Sequence, residues 1–220
     1  MFKNSDRFIV VDTETTNSLD DPFCYDVGWA VIDKFGNVFE SHSYVVADVF
    51  LDKEMMSHAY FADKIPQYWK DIKNGSRELK TFFNIKKAFS KCVFENNVKI
   101  VIAHNARFDY RSLNYTLRYL TKSKYRFFFP FGIEIWDTLK MSREILSKDT
   151  NYGEFCYNNN YLTKRMCKRY TAEIIYRYLM GDNDFTESHT GLEDVKIEKD
   201  IFSYCIYKKP RIDGALWARA

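Results

Sequence analysis

The chain has 220 residues, of which 46% are hydrophobic, 18% are aromatic and 29% are charged. This composition excludes a disordered or low-complexity chain, and the length suits one well-packed domain rather than two. Lysine and arginine exceed aspartate and glutamate by 33 to 30, so charge alone neither requires nor excludes a polyanionic partner. No apolar run reaches the roughly 18 residues of a membrane span, and we expect no membrane association.

Three strands are predicted near the N-terminus. The β-branched run over residues 7–13 is typical of a buried central strand. Residues 24–33 form a second apolar run. Residues 38–46 alternate well enough to pair back on it as a hairpin, after the turn signal that starts at Lys34.

Helices and two more strands follow. An apolar stripe over residues 53–97 predicts helices that are interrupted at Pro66 and at Asn74. The next predicted elements are a strand over 99–103, a helix through 113–120, a strand over 132–136, and helices over 137–146, 162–180 and 194–207. The asparagine-rich residues 151–160 suit a surface loop. This order predicts an α/β fold, a single domain with a mixed five-stranded sheet flanked by helices, its core over about residues 7–207 and a C-terminal tail over about 208–220.

The five cysteines are widely scattered and form no C-x-x-C pair. They are Cys24, Cys92, Cys156, Cys167 and Cys205. An odd and dispersed set favours reduced thiols over a disulfide framework or a zinc site. We therefore expect a cytoplasmic protein.

Asp12 and Glu14 end the first predicted strand. Side chains at positions i and i+2 of a strand leave from the same face, so the two carboxylates should lie close together. Two like charges at short distance are tolerated when they are exposed, when one is protonated, or when a divalent cation lies between them. Taken alone, the pair is common and is better explained as an ordinary polar strand end.

Asp109 follows the strand that ends at Ala103. If the first and fourth predicted strands are neighbours, Asp109 in the opening turn of the next helix faces Asp12 and Glu14. The helix dipole alone also favours an acid at such a position. Only the occurrence of these acids together favours a shared site over that explanation.

His189 and Asp194 belong to a third motif near the C-terminus. Five residues along a helix rotate by about 140° net, so the two side chains share a site only if His189 precedes the helix. Gly191, a poor residue for a helix interior, suits a loop-to-helix junction between them. The alternative is an exposed loop histidine followed by an ordinary N-terminal acid.

The motifs at residues 12–15, 104–109 and 189–194 resemble, in order and spacing, the three motifs of the DEDDh 3′–5′ exonuclease family. That family includes polymerase proofreading subunits, RNase T and oligoribonuclease. The resemblance covers residues 8–207 and implies an RNase H-like fold. It departs from the usual pattern at Asn17, where a glycine is common, and at Gly191, where an alanine is usual, and neither change removes a catalytic group.

The resemblance implies a role for each matching residue. It assigns metal binding to four acids, which are Asp12, Glu14, Asp109 and Asp194, and it makes His189 the general base. Oxygen ligands of this kind suit two Mg²⁺ (or Mn²⁺) ions better than zinc. Two such ions can activate a water and stabilise the departing 3′-oxygen, which predicts release of 5′-mononucleotides.

Candidate nucleic-acid contacts lie beside the first two motifs and in a later basic segment. They are Thr15, Asn105, Phe108, Lys164, Arg165, Lys168 and Arg169. Basic residues interleaved with tyrosines suit neutralisation of a backbone and stacking of bases on a single strand. A solvated helix face above core aromatics explains the basic segment equally well.

Five other acids lie near the motifs. Asp137, between a strand and a helix, suits a helix N-cap. Asp20, Asp21 and Asp26 lie in or beside a loop and are interpreted as ordinary acids, and Asp200 as a solvated charge on the far side of the last helix.

The leading hypothesis is a metal-dependent 3′–5′ exonuclease that acts on single-stranded DNA or RNA 3′ ends, in DNA replication or repair. One alternative is an accessory module that docks on a DNA polymerase or other replication protein. A phosphodiesterase acting on small nucleotides is another. The presence of all five catalytic positions favours the leading hypothesis.

Overall fold

The structure is a computed structural model that describes residues 2–16 and 22–212, together with the backbone of residues 216–219. Its described strands form one sheet in the order β4-β3-β2-β1-β5-β6-β7. The strands are β1 (Phe8–Thr16), β2 (Phe23–Ile32), β3 (Val38–Val46), β4 (Glu78–Lys80), β5 (Ile100–Ala103), β6 (Glu134–Asp137) and β7 (Leu216–Arg219). The central strand β1 is antiparallel to β2 and parallel to β5, so the sheet is mixed.

The predicted fold class, a mixed α/β sheet flanked by helices, is confirmed, with seven strands in the described residues rather than five. Both additional strands are short and lie at the edges. Strand β4 has 3 residues and pairs with β3, and β7 has 4 residues and pairs with β6. Segments of that length carry too little alternation to be recognised from sequence.

Helices cover both faces of the sheet. Those of the described chain are α1 (Ala47–Phe50), α2 (Lys53–Met56), α3 (Ile65–Asn74), α4 (Phe82–Glu95), α5 (Arg107–Thr121), α6 (Thr138–Leu146), α7 (Thr150–Asn158), α8 (Ala172–Met180) and α9 (Gly191–Lys208), with a 3₁₀ turn at Ala62–Lys64. Pro66, predicted as an interruption, lies in the first turn of α3, where a missing N–H has little cost. None of the described helices is both long and apolar enough to cross a membrane.

The loop predicted over residues 151–160 is wrong, because most of that segment forms α7. Asp149 caps the helix by accepting a hydrogen bond from the Tyr152 N–H at 3.2 Å. The buried Tyr152 ring packs against Tyr170 and Tyr178, with centroids 5.6 and 5.0 Å away. Packing of this aromatic face outweighs the low helix propensity of the asparagines.

The helix predicted over residues 162–180 is also partly wrong, since α8 begins only at Ala172. Residues 161–170 form a tight turn in which Leu162 and Lys168 make an isolated antiparallel bridge. We name residues 161–170 the basic turn. The four basic residues proposed to contact nucleic acid therefore lie on this turn and not on a helix.

The alternation of β1 divides the core into two layers. Ile9 and Val11 belong to the hydrophobic cluster that packs against α4 and α5, whereas Phe8 and Val10 belong to the cluster under α6, α8 and α9. Because successive side chains of a strand point to opposite faces, Asp12 continues the second face. The strand thus directs its first acid toward α9.

The start of α9 lies directly against the sheet, in a contact that only glycines permit. Gly28 pairs with Asp12 across β1 and β2, and a Cβ atom on Gly28 would lie 2.2 Å from the Leu192 backbone nitrogen. A Cβ atom on Gly191 would lie 2.6 Å from the Gly28 nitrogen. This close approach explains the glycine in the third motif, and it brings the first turn of α9 beside Asp12.

Candidate active site

The structure brings the five residues of the three motifs to one end of the sheet. Asp12 and Glu14 lie on β1, Asp109 in the first turn of α5, Asp194 in the first turn of α9, and His189 in the segment before α9. Ligand atoms of Glu14, His189 and Asp194 lie within 4.8 Å of one another. Asp109 and Asp194 interact electrostatically with both acids of β1.

Burial and mutual repulsion make these acids reluctant to ionise. Burial, followed by the charge of Asp194, raises the pKa of Glu14 to about 9. Burial also raises the pKa of Asp109 and of Asp194 to about 7 each, and that of Asp12 well above its usual value. Without a compensating cation, the cluster therefore holds protons near neutral pH.

The donor set fits divalent cations. All four acids offer carboxylate oxygens, which are the ligands that Mg²⁺ and Mn²⁺ prefer. The Oδ2 atom of Asp12 is buried and has no hydrogen-bond partner among the described residues. A buried carboxylate oxygen without a hydrogen-bond partner, among other carboxylates, is stabilised either by a proton or by a cation.

Asp109 and Asp194 are held in place by neighbouring side chains and backbone. Thr13 donates a hydrogen bond of 2.9 Å from Oγ1 to Asp109 Oδ1. Asp194 accepts hydrogen bonds at 3.1 Å from the Thr190 N–H and at 3.3 Å from the Ser188 hydroxyl. These hydrogen bonds fix the orientation of both carboxylates, as is typical of metal ligands.

His189 precedes α9, as the spacing of the third motif predicts. Its backbone is left-handed, with φ 53°, and its ring stacks on Phe61 at 4.3 Å with an interplanar angle of 10°. Partial burial lowers the pKa of His189 below the usual imidazole value. The imidazole is therefore neutral near pH 7 and can accept a proton.

Asp26 and Arg77 form a buried ion pair that the sequence interpretation missed. The Arg77 guanidinium donates to Asp26 Oδ2 at 3.2 Å, and the two side chains are 3% and 0% exposed. Asp26 Oδ2 also accepts from the Gly191 N–H at 2.9 Å and from the Tyr68 hydroxyl at 2.7 Å. Treating Asp26 as an ordinary acid beside a loop was wrong, whereas Asp20 and Asp21 lie outside the described residues.

The same guanidinium reaches the segment that carries His189. Arg77 Nη2 lies 2.5 Å from Glu193 Oε2, which also accepts a 2.7 Å hydrogen bond from the Thr190 hydroxyl. We call Asp26, Arg77 and Glu193 the clamp. It ties β2 and the residue before β4 to the start of α9 at two points. The available signal for Asp26 was an acid inside an otherwise apolar strand.

Glu198 is a further buried acid that the sequence interpretation did not single out. It lies one turn after Asp194 on the same face of α9, is 3% exposed, and interacts electrostatically with Asp12 and Asp109. Its Oε2 atom lacks a hydrogen-bond partner among the described residues. The i, i+4 spacing from Asp194 was the signal that could have found it.

Two other acids occupy the places that the sequence predicts. Asp137 caps α6 by accepting from the Leu139 N–H at 3.0 Å. It also accepts from the Asn105 N–H at 3.0 Å, and so supports the second motif. Asp200 lies outside the acid cluster and pairs with Lys199 at 2.5 Å.

The proposed nucleic-acid contacts fall in three places, which are a cavity, the end of β1 and the basic turn. Asn105 and Phe108 line a cavity of about 330 Å³ together with Arg107 and Arg111. Thr15 is buried in β1 beyond the acid pair. The basic turn joins this region because the Tyr170 carbonyl lies 2.8 Å from His104 Nε2.

Lys168 differs from the other basic residues of that turn. Its ammonium contacts the carbonyls of Leu146, Ser147 and Asp149 at 3.1, 3.1 and 2.9 Å. It therefore satisfies the C-terminal carbonyls of α6. Lys164, Arg165 and Arg169 are exposed.

The architecture is an RNase H-like fold, which solved exonuclease structures share. Solved structures with this fold include apo exonuclease I, with 13% sequence identity and a TM-score of 0.61, covering 94% of this chain and 43% of that chain. Exonuclease I of E. coli in complex with an oligonucleotide has 11% identity and a TM-score of 0.56, covering 94% of this chain and 41% of that chain. Exonuclease X in complex with 5′ overhanging duplex DNA has 14% identity and a TM-score of 0.53, covering 92% of this chain and 93% of that chain.

The chain thus spans about two fifths of exonuclease I and nearly all of exonuclease X. No protein-family model matches the sequence. No curated protein matches it either. At these identities the likeness establishes the fold.

Proposed function

We propose that the protein is a metal-dependent 3′–5′ exonuclease that hydrolyses single-stranded DNA or RNA ends and releases 5′-mononucleotides. The observation that supports it most is the convergence of His189 with buried acids from β1, α5 and α9. Asp12, Glu14, Asp109 and Asp194 are the groups that would hold two Mg²⁺ or Mn²⁺ ions. When bound, such a pair supplies the positive charge that activates a water and stabilises a departing 3′-oxygen.

The chain's own groups supply the proton transfer and the orientation. His189, neutral near pH 7, takes the proton of the attacking water on a ring nitrogen. Stacking on Phe61 restricts the plane of the imidazole, and the clamp restricts the backbone that follows it. The site therefore combines a positioned base with a positioned ligand set, which is what in-line hydrolysis of a phosphodiester needs.

The path of the strand is proposed from the position of the cavity and the basic turn. Asn105 and Phe108 would hold the terminal nucleotides, with arginines beside them for the phosphates. Thr15 lies beside the acids at the end of β1. The exposed basic residues of the basic turn would hold the strand farther from the reacting phosphate, in agreement with sequence-independent binding of single strands.

A role in DNA replication or repair and a cytoplasmic location belong to the same proposal. The five free cysteines agree with a reducing compartment. An accessory module docked on a polymerase, or a phosphodiesterase for small nucleotides, has no specific observation in its favour. The complete set of acids and the base favours catalysis on polymer ends.

The first test compares the purified wild-type chain with His189→Ala on matched 5′-labelled DNA and RNA oligonucleotides, with Mg²⁺, Mn²⁺ or EDTA. We expect a ladder of 3′-shortened products that EDTA abolishes. His189→Ala should lower kcat by roughly 10²- to 10⁴-fold, the range for a lost general base, with nearly unchanged substrate binding.

The pH profile of the rate tests whether His189 acts as the general base. With Mg²⁺ kept saturating so that the four acids stay ionised, the wild-type rate should fall as the pH drops through the pKa of His189, which burial lowers below the usual imidazole value. That acidic limb should vanish in His189→Ala and persist in the control His58→Ala, which changes an exposed histidine. An unchanged limb in His189→Ala, or products shortened from the 5′ end, would contradict the assignment.

The second test concerns the grip on the strand. Replacing Lys164, Arg165 and Arg169 with alanine should raise KM for a long single strand and leave cleavage of a dinucleotide unchanged. Each lost phosphate contact should reduce the slope of log affinity against log salt by about 0.7. Lys168→Ala is the matched comparison, and we expect it to lower thermal stability instead, because its ammonium binds the end of α6. An equal loss of cleavage on the long strand and on the dinucleotide after the triple replacement would show that other residues bind the strand.

A further inference from the structure

A second group of ligand atoms lies on the face of the sheet opposite to Asp12. A carboxylate oxygen of Glu40, a ring nitrogen of His42 and the Sγ atom of Cys92 lie within 4.8 Å of one another. Glu40 and His42 are two residues apart on β3, and Cys92 is on α4. His42 Nε2 is 2.6 Å from Glu40 Oε1.

The strand register shows on which face of the sheet this group of ligand atoms lies. His42 is the partner of Trp29, and Trp29 is the partner of Val11. The rings of His42 and Trp29 pack at 4.9 Å in the cluster under α4. Since Val11 and Asp12 point to opposite faces, this group is separate from the acids of the active site.

Neighbouring groups orient the imidazole of His42 and the carboxylate of Glu40. The His42 Nδ1 atom lies 3.0 Å from the Tyr44 hydroxyl, which leaves Nε2 to face Glu40. Asn96 donates a 3.1 Å hydrogen bond to Glu40 Oε2 and leaves Oε1 to face the histidine. Metal ligands in proteins are typically oriented in this way by hydrogen bonds on the atom that does not bind.

The indole of Trp29 provides an independent observation. Trp29 is fully buried, and its Nε1 atom has no hydrogen-bond acceptor of ordinary geometry among the described residues. The indole N–H lies beside Cys92, and burial together with the Glu40 carboxylate raises the pKa of that thiol to about 11. A metal-bound Cys92 thiolate would give this indole N–H a hydrogen-bond acceptor.

We propose that Glu40, His42 and Cys92 bind a zinc ion. Sulfur, nitrogen and carboxylate oxygen are the three donor types of protein zinc sites, and a thiolate with an imidazole disfavours Mg²⁺. The side chains of His42 and Glu40 are 24% and 37% exposed, so water can complete a tetrahedral set. The scattered cysteines gave no such pattern in the sequence because the fold joins β3 to α4.

The protons balance without a further reactant. Zinc displaces two protons: the thiol proton of Cys92 leaves to solvent, and the proton between His42 Nε2 and Glu40 Oε1 is exchanged through solvent for one on His42 Nδ1. A neutral His42 then carries its one N–H on Nδ1, where the Tyr44 oxygen accepts it. The ion links β3 to α4, so occupancy should raise the melting temperature of the whole chain.

The test is a titration of the chelator-treated full-length protein with Co²⁺, which reports a thiolate ligand through a sulfur-to-metal charge-transfer band. We expect one equivalent to produce the band and Zn²⁺ to displace it. Cys92→Ser should abolish the band, and Cys167→Ser, which changes an exposed thiol, should retain it. Asp12→Ala should also retain it, because the active-site acids contain no sulfur.

Two further variants keep the proposal testable if Cys92→Ser fails to fold. His42→Ala should abolish the rise in melting temperature that Zn²⁺ causes in the wild type. Tyr44→Phe, which removes the hydroxyl that faces His42 and Lys80 and keeps the ring, should weaken Zn²⁺ binding roughly 10-fold. Absence of the band in the wild type, or its persistence in a folded Cys92→Ser or His42→Ala protein, would overturn the zinc site and leave the proposed nuclease unaffected.

Discussion

Replacing Asp12, Glu14, Asp109 or Asp194 singly with alanine should remove nearly all nuclease turnover while the protein stays folded. Each acid is one ligand of the proposed cation pair, and positioned cations supply several kcal/mol of transition-state stabilisation. The loss of about 4 kcal/mol corresponds to roughly a 10³-fold lower kcat. Steady-state hydrolysis of a labelled oligonucleotide with Mg²⁺ measures it.

The same variants, which lose turnover, should not lose thermal stability in the same way. Burial raises the pKa of every one of these acids, so each folded carboxyl is costly to ionise without a cation. Removing one of them relieves desolvation and repulsion, so melting temperatures in EDTA should hold or rise for Asp12→Ala and Glu14→Ala. Asp109→Ala and Asp194→Ala also take an acceptor from Thr13 and from the Thr190 N–H, so they should gain less. Asp200→Ala is the matched control from α9, and it should keep its activity. If one acid variant kept near-normal turnover, Glu198 would replace that residue as the candidate ligand.

The acids could be singled out from the sequence because the three motifs that carry the family resemblance are local. Asp12 and Glu14 are separated by one strand residue, and Asp109 and Asp194 each begin a helix that follows a recognisable break. The position of His189 before α9 follows from the arithmetic of a helical turn. Such features depend only on residues that are neighbours in the chain, so they can be recognised without knowledge of the fold.

The clamp could not be predicted because its members meet only through the sheet. Arg77 precedes β4, a strand too short to recognise, and its partner Asp26 lies in β2. Glu193 was visible only as an acid in a first helical turn. In the same way, α7 forms because Tyr152 finds aromatic partners from the basic turn and α8. Long-range packing decided each of these cases.

The clamp leads to the second large expected effect. Arg77→Met should lower the free energy of unfolding by about 3–5 kcal/mol, because it leaves the Asp26 carboxylate buried without its cation. Glu193→Gln removes the partner that is 40% exposed, and it should cost at most about 1 kcal/mol. Urea unfolding of the two variants measures the contrast.

A double-mutant cycle tests whether the loss comes from the pair. Adding Asp26→Asn to Arg77→Met removes the unpaired charge and keeps an oxygen that can accept from the Gly191 N–H. The double variant should therefore be more stable than Arg77→Met by about 0.5–3 kcal/mol. Losses that simply add would show that Arg77 stabilises the fold independently of Asp26.

The kinetic consequence separates a positioning role from a purely structural one. With the guanidinium gone, the segment from His189 to Asp194 loses the ion pair between its Glu193 and Arg77, and the base and the acid lose their fixed placement. We expect kcat of folded Arg77→Met to fall while KM stays nearly constant, since the clamp does not border the cavity lined by Asn105 and Phe108. Arg77→Lys keeps the positive charge and loses the fork that reaches Asp26 and Glu193 together, so it should restore stability more than kcat. A proportional recovery of both quantities in Arg77→Lys would show that charge alone, and not the placement of the segment before α9, is what Arg77 contributes.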